Sequence, residues 1–501
     1  MKRFLKTMTI ASTAVFALVS LSGCDGGGRQ LNLDMTVDTR GTTIQFWTGF
    51  GGTVNTVLTE ILADFTAETG IIVEYDSKGG YPGLQTAINL SATSVTYPHI
   101  ANGYPDHFAG YIASDIILRL DEFIEEDKDI PATRDEGAFK ELAPFDLEDF
   151  YPTYMTENRS LEFDKDGNPY TLGIPFNKST EVAVVNKTAF DVFSAIDATV
   201  KIPETWNEVE TIGNKIKTIM TSRGFYGKVV GSDYLAYKDA GSMPASVTQL
   251  ISFATVTEEN FRIVSYDSQT NFFFTGVRQW GGSYTEMDSQ TRRGYVTFDN
   301  DATRSMMTRM RELFADNLIG IPQTWEEEQY CSNPFKESKT LMNVGSSAGV
   351  YNAVPQAGAF NVEARPIPFE NDQNKAVISQ GTNLALFDKG TNAEKVAAWK
   401  LLKYLTQIEN GRFSAGAGYY PTCVSAFESE EYQDYYTNTL SSASDKLKLG
   451  AAKVNSENYV GEGSTWQKYV DPGFVGSSYI RDECNFIMPE LFYGTPQKTV
   501  Q

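Results

Sequence analysis

The chain has 501 residues, 41% of them hydrophobic, with 64 acidic against 42 basic side chains and a formal net charge of −22 at pH 7. A body so acidic, with its lysines and arginines scattered, repels the phosphates on which nucleic-acid binding depends, and that class of function is set aside. The length exceeds what one core usually covers, so two domains are expected.

Residues 1–23 read as an export signal. Lys2, Arg3 and Lys6 form a basic start, and an apolar run of small residues follows, too short for a comfortable membrane span. The run closes on Leu21-Ser22-Gly23-Cys24. This resembles the lipobox of bacterial lipoproteins, in which cleavage before the cysteine leaves a thiol that is acylated. An ordinary signal peptide with an incidental cysteine is the alternative. Removing the segment takes away three positive charges and no negative ones, so the mature chain is more acidic still. Residues 24–41 are polar, Gly-rich and without period, as a flexible tether should be. No later stretch is long and apolar enough to span a membrane.

Residues 42–47 read as a buried strand, followed by a Gly-rich turn. Val54, Val57, Leu58, Ile61, Leu62 and Phe65 then form one stripe of a helix that Gly70 stops. Residues 71–75 are the next strand, and a strand, a helix and a strand in close succession predict a parallel sheet. Residues 163–176 read as a hairpin around Asp166-Gly167. Thr205 and Glu208 form a capping box ahead of Val209, Ile212, Ile216 and Ile219. Residues 392–410 are another amphipathic helix, closed by Gly411. Once Cys24 is assigned to the lipobox, Cys331, Cys423 and Cys484 remain, an odd number without metal-like spacing. They are free buried thiols, or Cys423 and Cys484 form a bridge.

The motif with the most obvious chemical meaning is Gly345-Ser-Ser-Ala-Gly349, a G-x-S-x-G pattern after the strand-like run 340–344. Read as a nucleophile elbow it makes the chain an extracellular hydrolase with Ser347 as nucleophile. An elbow of that kind needs a histidine later in the chain. The two histidines, His99 and His107, both precede Ser347. A Gly/Ser turn has another use, because its hydroxyls and backbone N–H groups hydrogen-bond small anionic or hydroxylated ligands. The histidines have no metal-ligand spacing, and no Gly-rich phosphate loop of the nucleotide-binding kind is present, so neither a metal nor a cofactor is expected. Aromatic residues are abundant, and several lie on Gly/Pro turns: Tyr81, Tyr104, Trp280, and Tyr419-Tyr420. Rings on loops stack on the apolar faces of sugars and polyols while phenol hydroxyls bond their oxygens.

The segments 42–75, 174–190, 202–209, 341–349, 377–387, 397–427 and 474–492 resemble the extracellular solute-binding proteins of carbohydrate-type ABC importers, most of all their glycerol-3-phosphate-binding members. The resemblance runs from Thr42 to about Phe492. It implies an α/β chain of the two-lobed periplasmic-binding-protein type II fold, with hinge crossings and a ligand cleft between the lobes. One lobe would comprise residues 42–178 plus 346–391, the other 179–345 plus 392–501. It further implies a monomeric lipoprotein, not an enzyme, lipid-anchored outside the bacterial cytoplasm through Cys24, that captures a small solute and delivers it to membrane permease subunits. Matched to the family's motifs, Tyr81, Ser179, Ser346, Gly381 and Tyr419 would contact the ligand. Arg481 would take a phosphate through paired guanidinium bonds, and Trp280 would form an apolar wall. Where the family carries a glutamate just after a tyrosine, this chain reads Tyr104-Pro105-Asp106, which makes Asp106 the substitute carboxylate. Lys178, beside Ser179, is a further anion partner. The implied ligand is glycerol-3-phosphate or a glycerophosphodiester, with a maltodextrin-like sugar as the alternative.

Overall fold

The computed structural model describes residues 31–128, 142–230, 251–288, 290–357, 359–437, 442–460 and 463–494. The expected signal segment 1–23 and the lipidation site Cys24 lie outside them.

Alternation in Thr43–Thr48 buries Ile44 and Phe46 on one face and forms β1. The helix Gly52–Thr69 packs Leu58, Ile61, Leu62 and Phe65 onto it and ends at Gly70, whose positive φ of 72° lets its N–H return to Thr66 O. β2 (Ile72–Ser77) and β3 (Ile100–Gly103) flank β1 in parallel, as the strand–helix–strand order predicts. The sheet is nonetheless mixed. β15 (Asn383–Leu386) pairs antiparallel with β3, and β4 (Ile174–Pro175) pairs antiparallel with β15, completing five strands. The expected hairpin 163–176 reduces to a single Phe163–Pro169 bridge around a turn held by the Asp164 carboxylate. Its last residues are claimed by β4.

A second sheet runs in the order β11 (Ile319–Gly320), β8 (Arg262–Tyr266), β12 (Thr340–Ser346), β5 (Ser179–Asn186), β14 (Ala376–Gln380) and β16 (Gln467–Tyr469), with β13 (Val362–Arg365) also on β5. Two small antiparallel pairs, β6 (Val229–Val230) with β7 (Ile251–Ser252) and β9 (Thr285–Met287) with β10 (Gly294–Val296), accompany it. Each main sheet has its own core. Ile44, Phe46, Phe65, Ile100, Leu384 and Trp399 lie in the first, and Val182, Val185, Val264, Phe273, Val344 and Val377 in the second. Each such fully buried side chain contributes about 1.5–3 kcal/mol.

The strands redraw the expected lobe boundaries beyond residue 346. β13 and β14 belong to the second sheet, and Val350, Phe360 and Ile367 to its core. The helices Asn392–Lys403 and Asn410–Ala417 instead pack Val396, Trp399, Leu402 and Phe413 into the first core. The chain therefore crosses to the first lobe at Gly381–Thr382 and returns to the second between Ala426 and Leu447. An amphipathic pattern announces a buried face without saying which core buries it. The helix starting at Asn392 also does not end at Gly411. It passes through a π-turn over Tyr404–Ile408, and Gly411 lies inside the next helix. The tether shortens as well: Glu122 accepts hydrogen bonds from the N–H groups of Leu31 and Leu33 (2.8 and 3.1 Å), and Met35 is buried in the first core. Residues 31–41 are thus part of the first lobe.

Two crossings run side by side, Phe176–Lys178 between β4 and β5 and Gly381–Thr382 between β14 and β15. Asn177 Oδ1 accepts from Thr382 N (3.1 Å), and the Lys178 ammonium donates to Gly381 O (3.2 Å). Gly381 has φ +94°, and a Cβ there would lie 1.7 Å from Asn177 O, so no other residue fits. The lobes also touch away from the hinge, where Gln85 Nε2 donates to Ser478 Oγ (3.1 Å) and Arg292 donates to the carbonyls of Ser160 and Leu161.

Candidate functional site

A cavity of about 520 Å³ lies between the lobes. Its first-lobe wall is built of phenols set at helix ends. Tyr81 opens the helix Tyr81–Ser91 after Gly79 and Gly80, and Tyr104 caps the helix Pro105–Ala113. Tyr419 follows the left-handed Gly418 that ends the helix Asn410–Ala417. The rings brace one another: Tyr81 and Tyr104 meet edge to face at 5.1 Å, and Tyr419 stacks on Phe413 at 5.8 Å. Burial raises the Tyr81, Tyr104 and Tyr419 hydroxyls above the usual phenol range, so all three stay protonated and able to donate.

The facing wall comes from the ends of second-lobe strands. β12 ends at Ser346, and the 3-10 turn Ser347–Ala353 carries Tyr351 into the lining. Asp267 follows β8 and is held by Cys331 N–H (2.8 Å), while burial pushes its carboxyl up to about 6. A Cβ on Gly345 would lie 2.4 Å from Asp267 Oδ2, so the first glycine of the GSSAG stretch makes room for this carboxylate. Ser179, Gly381 and Asn343 belong to the lining as well.

The cavity meets a smaller recess of about 70 Å³, with Tyr104 and Gln380 lining both. Arg481 and Asp106 line this recess together with Tyr284, Ser379 and Asp471. The Arg481 guanidinium donates to Asn271 Oδ1 (2.7 Å) and lies 5.2 Å from the Phe274 ring centre. Among the described residues no carboxylate oxygen comes within 4.0 Å of it. Burial opposes its charge, but Tyr284, Asp106, Tyr104 and Asp471 together outweigh that, and it stays a cation. Behind it Glu181 accepts from Asn271 Nδ2 (3.1 Å) and from the Tyr266 hydroxyl, with its carboxyl pushed up to about 7 by burial. Asp471 pairs with Arg278 (3.1 Å). Among the described residues, Ser379 Oγ, Gln380 Oε1 and Asp471 Oδ2 are buried without a hydrogen-bond partner. Buried polar atoms normally find partners, so three such atoms grouped around one recess are unusual.

The structure brings Tyr81, Ser179, Ser346, Gly381 and Tyr419 to the cavity and Asp106 and Arg481 to the recess. Trp280 is in neither. It ends the helix Gln269–Gln279 and packs against the second core, so it forms no wall of the cleft. Lys178 is also turned away: fully buried, it pairs with Glu157 at the hinge. Ser347 is only 1% exposed, and its Oγ accepts from Thr180 N (3.1 Å), so that hydroxyl holds β5 in place instead of facing a substrate. His99 takes the Gln45 N–H on its Nδ1 (2.9 Å), and His107 packs its ring on Tyr104. Sequence reasoning missed Asp267, Asn343, Tyr351 and Gln380. Asp267 carried a usable signal, since it directly follows a strand, and ligands of α/β sheets gather outside the carboxyl ends of strands.

A model of the bacterial extracellular solute-binding proteins matches residues 60–439, well over half of the chain. The chain is a bacterial extracellular solute-binding protein. No curated protein sequence matches this solute-binding protein closely enough to extend the assignment. Solved structures show the same two-lobed fold. UgpB from Mycobacterium tuberculosis, in complex with glycerophosphocholine, superposes with a TM-score of 0.63 at 16% identity, over 91% of this chain and 94% of that one. The GacH receptor of Streptomyces glaucescens, solved unliganded and with acarbose, gives 0.59 at 15% identity over 92% and 94%. MalE from Bdellovibrio bacteriovorus, bound to maltotriose, gives 0.57 at 17% identity over 92% and 97%. At such identities the likeness speaks for the fold alone. Family membership places this solute-binding protein outside the cytoplasm, and among the described residues no helix is long and apolar enough to cross a membrane.

Proposed function

We propose that this protein is the substrate-binding lipoprotein of an ABC importer, anchored through Cys24, which captures a small polyhydroxyl ligand by closing its lobes and hands it to the permease. The observation that carries this reading is the cavity itself. Tyr81, Tyr104 and Tyr419 on one lobe face Ser346, Asn343 and Asp267 on the other. A ligand held by both walls favours the closed arrangement by its differential affinity for it. Arg481, with no carboxylate within 4.0 Å among the described residues, supports a phosphorylated ligand, glycerol-3-phosphate or a glycerophosphodiester such as the one in the UgpB complex. A neutral sugar is the second reading. It is favoured by the unpartnered Ser379 Oγ, Gln380 Oε1 and Asp471 Oδ2 and by Asp106, all of which ask for hydroxyl donors.

A thermal-shift titration of residues 31–501, refolded free of carried-over ligand, separates the two readings. Glycerol-3-phosphate and glycerophosphocholine are set beside maltose and maltotriose. A true ligand at a hundred times its Kd adds about 2.7 kcal/mol of stability. Arg481→Ala is expected to weaken binding of the phosphorylated compounds at least tenfold more than that of sugars. Equal losses would remove Arg481 from the role of phosphate anchor. No shift with any of the four would reject this ligand range.

A further inference from the structure

Beside the hinge, a cluster of charged and phenolic groups takes no part in lining the cleft. Lys178 on the first crossing pairs with Glu157 of the helix Pro152–Asn158, and Glu157 also accepts from Asn383 Nδ2 (2.8 Å). Next to them lies Lys468 of β16. Its ammonium donates to Tyr154 Oη (3.1 Å) and to Asn455 Oδ1 (2.8 Å). It also sits 4.7 Å from the Tyr154 ring centre and 5.6 Å from that of Tyr420. Tyr154 belongs to the helix whose Met155 is in the first core, whereas β16 belongs to the second sheet. Tyr420 rides on a segment bridged to Lys178 through its backbone, with its hydroxyl on Ala451 O (2.9 Å). Lys468 therefore spans the two lobes at the pivot. Among the described residues no carboxylate oxygen lies within 4.0 Å of its ammonium.

We propose that Lys468 is a proton-linked latch of the hinge, neutral when the lobes are closed and protonated when they part, so that closure releases a proton. The proposal rests on the reading that the lobes open and close.

The physical case has three parts. Closure takes the amine out of water and under the repulsion of Lys178, and together these oppose a positive charge more than the two ring faces favour it. Burial first, and the positive charge of Lys178 second, push Lys468 down to about 7, against the pull of Glu157. Parting the lobes separates Tyr154 from Lys468 and Asn455 and admits water, which returns the amine toward the ordinary lysine range near 10.4. The remaining neighbours do not offset this. Tyr459, on the same turn as Asn455, turns its hydroxyl to Ile367 N–H (3.0 Å), and the residue opposite Lys468 on β14 is Val377. The direction follows from linkage. Below about pH 7 both arrangements carry the proton and the equilibrium is flat. Above it closing sheds a proton, so rising pH favours closure by at most about tenfold per unit until the open form also titrates.

The test needs no solute. Spin labels at Glu60→Cys and Asn214→Cys, exposed positions on helices of opposite lobes, report lobe separation in the ligand-free mature chain with Cys24→Ser. The other cysteines are buried. Between pH 6 and 9 the closed fraction is expected to rise several-fold in the wild-type background. Lys468→Gln should flatten that rise, and Lys468→Arg, which keeps the charge throughout, should hold the open-shifted distribution at every pH. A wild-type distribution that does not change with pH would overturn the latch, as would a pH response surviving in both variants. Because no ligand is present, failure of the proposed ligand class leaves this outcome interpretable.

Discussion

At the scale of single residues, the hinge is where one atom decides most. With a Cβ 1.7 Å from Asn177 O and φ at +94°, Gly381→Ala must push the two crossings apart. We expect a loss of at least about 3 kcal/mol, read as a fall of several degrees in Tm. A retained Tm would mean that the crossings yield easily. Glu181 carries a pH signature. Its folded carboxyl is pushed up to about 7, against about 4.3 for an ordinary glutamate, so the folded state holds the proton more tightly. Its contribution to stability therefore declines as pH rises from about 4.3 through about 7. Glu181→Gln keeps partners for Tyr266 and Asn271 while removing the titration. Urea denaturation at pH 4.5 and 7.5 should show the variant gaining on wild type at the higher pH. The residues of the cavity were partly legible in the sequence. Tyr81 and Tyr419 sit on turns whose glycines and prolines mark them, and Ser346 lies in a Gly/Ser stretch, whereas Ser179, the first residue of β5, and Gly381 were legible through the family's motifs. Trp280 sits on such a turn too and misled for that reason, because turn chemistry locates a bend without saying whether its ring faces a cleft or a core.

At the scale of elements, helix starts were more legible than helix ends. The cap at Thr391 closes a full box, with Glu394 N–H on the Thr391 hydroxyl (3.3 Å) and Thr391 N–H on Glu394 Oε2 (2.7 Å). At Thr205 the hydroxyl caps Glu208 N–H (3.1 Å), but the Glu208 carboxylate takes the N–H of Glu204 instead, one residue earlier than a capping box requires. Thr391→Ala is expected to cost about 1 kcal/mol, since the helix it opens carries Trp399 into the first core. The corresponding drop, roughly 2 °C, is measurable by calorimetry. The end of that helix was misread because Gly411 signals a stop by propensity, whereas Asn410 is held by Phe176 O (3.0 Å) and Thr422 N (2.9 Å) and the chain resumes helical turns there. Tertiary bonds overrode a local preference.

At the scale of the whole molecule, the two-lobed architecture was legible through the resemblance, and the path of the chain between lobes was not. Periodicity tells how much of a helix is buried, while the choice of core depends on partners hundreds of residues away, as Leu384 pairing opposite Asn102 illustrates. The closure reading predicts a scattering signature. Adding a saturating ligand should shrink the radius of gyration or leave it at a value matching these touching lobes. An increase would contradict capture by closure.

The packing of residues 31–41 sets how the protein would sit at a bilayer if Cys24 carries the proposed lipid. With Cys24 as the anchor, six residues join it to Leu31, a reach of at most about 25 Å when fully extended, and Leu31 is already fastened to Glu122. An anchor there would moor the first lobe close to the lipid, and the body could not roam as a globule on a long leash. The work of opening would then fall on the second lobe, swinging like a gate on a fixed post. Its arc would be confined to the water layer next to the membrane, where a permease would meet it.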